Sequence, residues 1–510
     1  MHTVTLKLKT SRYDRQMIED RFHAISHIHN VMVKRAKKLL KRLEHDKEYQ
    51  ESRNDYNRLL ARQDSSKDKK LSPEDESRRK ELSEQMKLIR SEMGLSEAGF
   101  HAYIKVCGKQ FKKLLSSQQI QKEATRVWRG AEAVIFGNGE DIHFKKYRNF
   151  NTICGKSNTN GVKFHKDSCA IEWLGLAIKC IVPEDDLYIS EALDADISYC
   201  EIKRQMFPNG WHYYVIVYLK GDAPGKIREV GDRDNVTGVD IGTSSVATVS
   251  DDYVTLKELA PDVRKYNKRI EKLLQHLDTS KRISNPKKFK ADGTIDKSNH
   301  DRWIFSKTYL KNQDRLKSLY RQKAEYIRQS HERMINDLLK DSVTFVVEDM
   351  SFKGLQRRAK KTERQEKVSD IKQKDGSVKK VRKYKRKKRF GRSMNNRAPA
   401  SFITLLEQKA KLYGGGVFRV DTKAFRASQY DHAADTYTKV TLDDRNKTID
   451  GHNVQRDLYS AFLLKNTNGN LTKPDRDKCI YGFGKFLELH DELISRMKHD
   501  NVTMKQCFGF

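Results

Sequence analysis

Three acids stand where acids are costly. Asp240 lies inside "TGVDIGTSSVATV", between apolar neighbours in a run with strand periodicity. Glu348 closes the apolar run 343–347, and Asp457 opens a stretch whose Leu458, Ala461, Phe462 and Leu464 supply apolar surface. Moving a carboxylate from water into apolar surroundings costs roughly several kcal/mol unless something compensates it. A hydrogen bond, a cation or a metal ion would do so. Taken singly, each acid also reads as a turn former or a helix cap. Taken in order, the three offer hard oxygen donors from three separate elements. Such a set suits Mg2+, which prefers oxygen ligands and keeps several of its waters. Two such ions about 4 Å apart can activate a water and stabilise the leaving oxygen of a phosphodiester cut in line.

The elements that must position these acids follow from hydrophobic spacing. Strand "VTGVDIG" leads through a turn into "SSVATVS". Helices are expected from about 255 to 277 and from 303 to 340, the second with an apolar face of Leu316, Tyr320, Ile327, His331, Met334 and Leu338. Strand "SVTFVVEDM", helix "ASFITLLEQKAKLYGG" and strand "GVFRVD" come next. The last clear helix contains "GHNVQRDLYSAFLLKN". This order suits a ribonuclease-H-like sheet, in which adjacent strand ends and one helix converge.

Upstream, residues 2–9 alternate Val4, Leu6, Leu8 against Thr3, Thr5, Lys7, the pattern of a half-buried strand. From 13 to 63 the pattern is helical. In "LSPEDESRRKELSEQMKLI", Ser72 fits an N-cap and Pro73 the first helical position, and Glu74 and Asp75 suit the positive end of the helix dipole. Helices continue to about 136, where "FGNGED" ends them. Residues 140–222 are β-rich, with "CAIEWLGLAIKCIV" and "WHYYVIVYLKG". The first strand is therefore expected to pair with the later ones across a helical insertion.

Of the 510 residues, 102 are Lys or Arg against 69 Asp or Glu, a net charge of +33, which favours a polyanionic partner, nucleic acid first. No apolar run is long enough to span a bilayer, so no membrane partner is expected. The opening "MHTVTLKLKT" lacks a signal peptide's apolar segment, and the seven cysteines show no C-x-x-C pair. They read as reduced thiols of a cytoplasmic protein.

At the three acids the chain resembles a known family. "GVDIGTSSVATV" is similar to the first RuvC motif of transposon-encoded TnpB nucleases and the related miniature type V CRISPR effectors. "FVVEDMSFKGL" resembles their second motif and "VQRDLYSAFLL" their third, although Tyr459, Ser460 and Ala461 replace the usual Asn-Ala-Ala-like stretch. The likeness covers about 236–465. It implies a multidomain α+β and α/β chain: a β-barrel-like wedge domain (1–12 and 137–228) interrupted by a helical recognition domain (13–136), then a RuvC, ribonuclease-H-like nuclease domain (229–421 and 453–510) with an inserted target-strand-loading lobe (422–452). It further implies an RNA-guided, Mg2+-dependent DNA endonuclease with Asp240, Glu348 and Asp457 as catalytic, metal-binding acids. Its partners would be a guide RNA and double-stranded target DNA, with the protein a monomer or a homodimer on one guide RNA. Guide pairing would read sequence, and the protein would read a short flanking motif. Two readings stay beside this one: a guided DNA-binding protein that does not cut, and an unguided RuvC-like resolvase or transposase.

The family's C-x-x-C zinc ribbon has no counterpart in 422–452, which holds no cysteine. His432 and His452, with Asp431 and Asp435, lack the close pair spacing of a structural zinc site, so a zinc-free lobe is expected. Arg445, in that lobe, is a candidate for steering the scissile phosphate, or a solvated surface arginine. Residues 353–392 carry 19 basic and 4 acidic residues. Arg357, Arg358, Lys383, Lys385 and Arg386 there suit a mobile segment on guide or target backbone, with a solvated loop as the plainer reading. Lys34, Arg35, Lys37 and Lys38 suit either a helix facing RNA or an ordinary exposed helical face. Tyr213, Tyr214 and Tyr218 fit base stacking or, more simply, a β core.

Overall fold

The computed structural model describes residues 1–65, 71–183, 186–207, 209–225, 227, 229–356, 364–372, 378–384, 391–439, 444–505 and 507–510. The chain divides into two compact units, Met1–Pro224 and Gly225–Phe510. Both mix helices with strands.

The first unit opens with β1 (His2–Leu8), whose Val4, Leu6 and Leu8 are buried while the intervening residues face water. The helical block follows: α1 (Arg12–Glu44), α2 (Lys47–Ser65), α3 (Pro73–Glu92), α4 (Glu97–Cys107) and α5 (Ser117–Ile135). The helical stretch expected from 13 to 63 is thus broken at His45 and Asp46, where the Asp46 carboxylate accepts from the Tyr49 N–H as the next helix begins. Ser72 accepts from the Asp75 N–H with Pro73 in the first helical turn. The chain then returns to strands: β2 (Thr152–Cys154), β3 (Val162–His165), β4 (Ala170–Trp173) and β5 (Leu176–Ile181), a short helix α6 (Leu187–Leu193), then β6 (Ile197–Phe207) and β7 (Gly210–Leu219). The β-rich stretch "CAIEWLGLAIKCIV" is a hairpin, because Leu174 and Gly175 both take positive φ and turn the chain. All seven strands form one antiparallel sheet in the order β2-β6-β7-β1-β5-β4-β3. The first strand sits between β5 and β7, joined across the helical insertion, and β3 curls back against β6.

A buried cation fastens helix to sheet in this unit. The side chain of Arg204, on β6, donates to the Phe150 and Tyr147 carbonyls and pairs with Glu19 of α1. Its guanidinium lies over the rings of Phe22, Tyr147 and Trp211 at 4.2–4.4 Å. Tyr213 is buried beside it and donates to Glu19, whereas Tyr218 stacks on Tyr199 and donates to Glu201.

The second unit is built on a five-stranded sheet. Three antiparallel strands, β8 (Asp232–Ile241), β9 (Ser245–Val249) and β10 (Val254–Glu258), precede the long helices α7 (Val263–Ser284) and α8 (Lys307–Leu339). The helix expected from 255 therefore starts later. Residues 254–258 alternate buried Val254 and Leu256 with outward neighbours and pair with 245–249 instead. On α8 the buried residues include Leu319, Ile327, His331, Ile335, Leu338 and Leu339, while Tyr320 is exposed. Ile327, His331 and Leu338 of the expected apolar face are thus buried and Tyr320 is not, while Leu319, Ile335 and Leu339 extend the covered surface. Next come β11 (Ser342–Glu348), α9 (Phe352–Gln356) and a hairpin of β12 (Arg364–Lys372) and β13 (Val378–Tyr384). The basic run read as one mobile segment thus contains paired backbone. Then follow α10 (Gly391–Arg397), α11 (Pro399–Leu412), β14 (Gly416–Val420), α12 (Thr422–Phe425), two small hairpins of β15 (Tyr430–Asp431) with β16 (Thr436–Tyr437) and β17 (Asn446–Ile449) with β18 (His452–Gln455), and α13 (Arg456–Lys465). A further helix that the sequence reading omits, α14 (Arg476–His499), follows.

The sheet order is β10-β9-β8-β11-β14, with β8, β11 and β14 parallel. Alternation splits its side chains between two cores. Val239, Ile241, Val343, Phe345 and Val347 pack with α8 and α11 on one face. Ala247, Val249, Val346 and Val420 pack with α13 and α14 on the other. Among the described residues no helix is long and apolar enough to cross a membrane.

Candidate active site

The two strand acids are placed by register. Val239 pairs with Val347 in the parallel ladder, so Asp240 and Glu348 follow at the same level on neighbouring strands. Their side chains point opposite to Val239 and Val347, hence to the face that α13 covers.

Asp457 arrives on α13. The Gln455 side chain caps this helix by accepting from the Leu458 N–H, and the Gln455 N–H donates to His490 of α14. More is covered than the apolar Leu458, Ala461, Phe462 and Leu464: Arg456 and all of 458–464 are buried, because sheet and α14 enclose the helix. Gly238 decides how close it comes. A Cβ there would lie 1.9 Å from the Ala461 carbonyl oxygen, so only glycine lets the helix backbone rest on β8. Asp240 is two residues on from Gly238, and Asp457 is one turn back from Ala461. Those steps are nearly equal, about 6 Å each.

The other two acids act on Asp240. Burial, then the negative charges of Asp457 and Glu348, hold the Asp240 carboxyl well above the ordinary aspartate range, against the opposing pull of Arg456 and Arg445. Burial likewise raises Glu348, with the Ala427 N–H acting in the other direction. Asp457 faces two arginines: Arg456 Nη2 at 3.3 Å and Arg445 Nη1 at 3.7 Å. Arg456 is itself tied down, its Nη1 donating to the Asp444 carbonyl and its N–H to the Arg445 carbonyl, both at 2.8 Å. Among the described residues no three His, Cys, Asp or Glu side chains are arranged to hold a metal ion as they stand. The donor chemistry nevertheless fits a hard cation: three carboxylates, two of them raised by burial, in a neighbourhood that gains from added positive charge.

The other sequence candidates fall elsewhere. In the first unit, Lys34 and Lys38 are exposed on α1, Lys37 pairs with Asp141 at 2.6 Å, and Arg35 stacks over Tyr103 at 5.1 Å. The four are thus not one free face. In the second unit, Lys383 lies on β13, and Arg357, Arg358, Lys385 and Arg386 lie outside the described residues. Arg445 is at the acids rather than a solvated surface arginine, with about a quarter of its side chain exposed. His432 is enclosed by Phe462 and Phe483, with its ring nitrogen Nδ1 2.8 Å from the Tyr459 hydroxyl. Asp431 accepts from the Ala433 N–H and Asp435 from the Tyr430 hydroxyl. Arg456 and Gly238 are the residues that sequence reasoning missed. The only signal for Arg456 is a cation adjoining an acid in "QRD".

No protein-family model matches this chain, and no curated protein matches it. Among solved structures it is similar to one described as "Cryo-EM structure of the Cas12f1-sgRNA-target DNA complex", at 11% identity and a TM-score of 0.44, covering 92% of this chain and 99% of that one. It is also similar to "Cryo-EM structure of CRISPR-Cas12f Ternary Complex", at 10% identity and a TM-score of 0.25, covering 91% of this chain and 99% of that one.

Proposed function

We propose that this protein is an RNA-guided DNA endonuclease that cuts phosphodiesters at a single RuvC-like site. The observation that carries the reading is the meeting of Asp240 and Glu348, level on adjacent parallel strands, with Asp457 on the helix seated against Gly238. The three sequence motifs and the net charge of +33 support it. In this reading 1–12 and 137–228 form the wedge, 13–136 the recognition block, 229–421 and 453–510 the nuclease, and 422–452 a lobe that loads the target strand. Guide RNA and double-stranded DNA are the partners.

Asp240, Glu348 and Asp457 would hold Mg2+. When bound, Mg2+ supplies Lewis acidity that lowers the pKa of an attacking water and stabilises the leaving oxygen. Arg456 fixes the orientation of the Asp457 carboxylate through its bond to the Asp444 carbonyl. Arg445, part exposed beside Asp457, brings a cation to where a scissile phosphate would lie.

The test is Asp240→Ala, assayed for guided cleavage and for RNA binding side by side. Cleavage should fall by about a hundred- to a thousandfold with RNA affinity unchanged, the scale of loss when a preorganised electrostatic group is removed from an active site. Full cleavage by the variant would end the mechanism. A wild-type protein that binds guided target without nicking it would favour the non-cutting reading.

A further inference from the structure

Four of the seven cysteines, at 154, 169, 180 and 200, lie on or beside the seven-stranded sheet, and the backbones of two of them are opposed. Strands β4 and β5 pair in register down to Ala170 and Lys179. One step further along that antiparallel ladder stand Cys169 and Cys180. The backbones are still in contact there, since the Cys180 N–H donates to the Cys169 carbonyl at 2.7 Å. Directly opposed residues of an antiparallel pair have Cα atoms about 4.5–5.5 Å apart. A disulfide needs about 4.4–6.8 Å, a range that the ladder spacing and the backbone bond bring within reach. Both residues are half-buried, open to a small reagent yet held in place.

We propose that Cys169 and Cys180 form a reversible thiol–disulfide pair, oxidised by a low-molecular-weight disulfide such as oxidised glutathione. The Cys169 thiolate attacks one sulfur of the small disulfide, forming a mixed disulfide and expelling one small thiolate. The Cys180 thiolate then attacks the Cys169 sulfur and expels the second. Two protein thiols lose two electrons to the small disulfide, and the released protons end on the two small thiols.

The chemistry has an order. Burial and the neighbouring Cys169 push the Cys180 thiol up to about 12, which makes it the resolving partner. Cys169 sits in the turn, at φ 44°, and its Sγ–H donates to the Lys166 carbonyl at 3.4 Å. Its side chain must leave that contact to reach Cys180.

The location gives the bond a consequence. Cys180 pairs with Leu8, the last residue of β1, and the Lys9 N–H donates to the Lys179 carbonyl at 2.9 Å. Arg12 starts α1 three residues later. A bond between 169 and 180 would therefore stiffen the joint where the sheet hands the chain to the helical block. It does not depend on the nuclease reading.

The full-length protein would be incubated folded with oxidised glutathione, alkylated, digested and mapped by mass spectrometry. One internal crosslink between Cys169 and Cys180 is expected, with the intact mass lower by about 2 Da and restored by dithiothreitol. Hydrogen exchange at residues 8–12 should slow on oxidation. Cys169→Ser should abolish the crosslink while leaving circular dichroism unchanged. Glutathione retained on Cys169 without an internal bond would overturn the pair, as would a crosslink joining Cys180 to Cys200. The wild-type map decides the question even if a variant fails to fold.

Discussion

At the scale of single residues, buried charge is legible in sequence only as an oddity. Asp240 and Glu348 stand out because each interrupts or ends an apolar strand pattern, and register then makes them neighbours. Arg456 does not stand out, since an arginine in the first turn of a helix reads as solvated until its carbonyl partner 12 residues upstream is known. Removing it should act in two directions. Arg456→Gln leaves Asp457 more negative, so less Mg2+ should be needed for half-maximal cleavage. The carboxylate also loses its anchor, a charge-assisted bond worth about 1.5–3 kcal/mol, so the maximal rate should fall about ten- to a hundredfold. A Mg2+ titration of cleavage separates the two, and a raised Mg2+ requirement would contradict the assigned field. His331 shows the same physics away from the site. It is fully buried, edge-on to Phe402, and burial lowers its pKa to about 4. The unfolded chain takes up that proton near pH 6.5, the folded one only near 4, so this residue's share of stability falls as pH drops through that window. The loss approaches about 3 kcal/mol at the acid end. His432 and His490 are lowered by burial too and act in the same sense. Urea unfolding across the window should therefore show a shallower decline for His331→Leu than for wild type, and an equal slope would refute the assignment.

At the scale of elements, periodicity revealed what alternates and missed what only packing decides. Residues 254–258 looked helical because Leu, Lys and Glu favour helices, but pairing with β9 buries Val254 and Leu256. The reverse holds for α14, whose "YGFGKF" carries two glycines, each worth about 1 kcal/mol against a helix. Phe483, Phe486, Leu493 and Met497, buried in the core shared with α13, outweigh that. Nothing in the pattern marks Gly238 as more than a weak point in a strand, yet it admits the helix that carries Asp457. Gly238→Ala would place a methyl against the Ala461 carbonyl with no flexible side chain to yield. Such overpacking costs about 1–3 kcal/mol and shifts backbone. The variant should lose both stability and cleavage, whereas Gly484→Ala, with open space around the added methyl, should hold or gain stability. Cleavage by Gly238→Ala at the wild-type rate would mean that the seating of α13 does not set the acids.

At the scale of the whole molecule, two compact units that share no core imply two unfolding events. The core of the first unit runs from Val4 to Leu219, and every buried cluster of the second begins after Pro224. Cooperativity follows shared packing, so a chain with separate cores need not unfold in one step. Calorimetry of the full-length protein without nucleic acid should resolve two transitions, and substitutions can assign them. Arg204→Ala leaves Glu19 without its buried cationic partner and empties a cage of three aromatic rings. Breaking a buried pair in this way costs about 3–5 kcal/mol. That loss should appear as a large drop in one transition while the other stays near its wild-type temperature. Gly238→Ala should move the other transition and spare the first. If each variant shifted both transitions together, the two units would be unfolding as one cooperative body, and the division at Pro224 would be one of contact density rather than of stability.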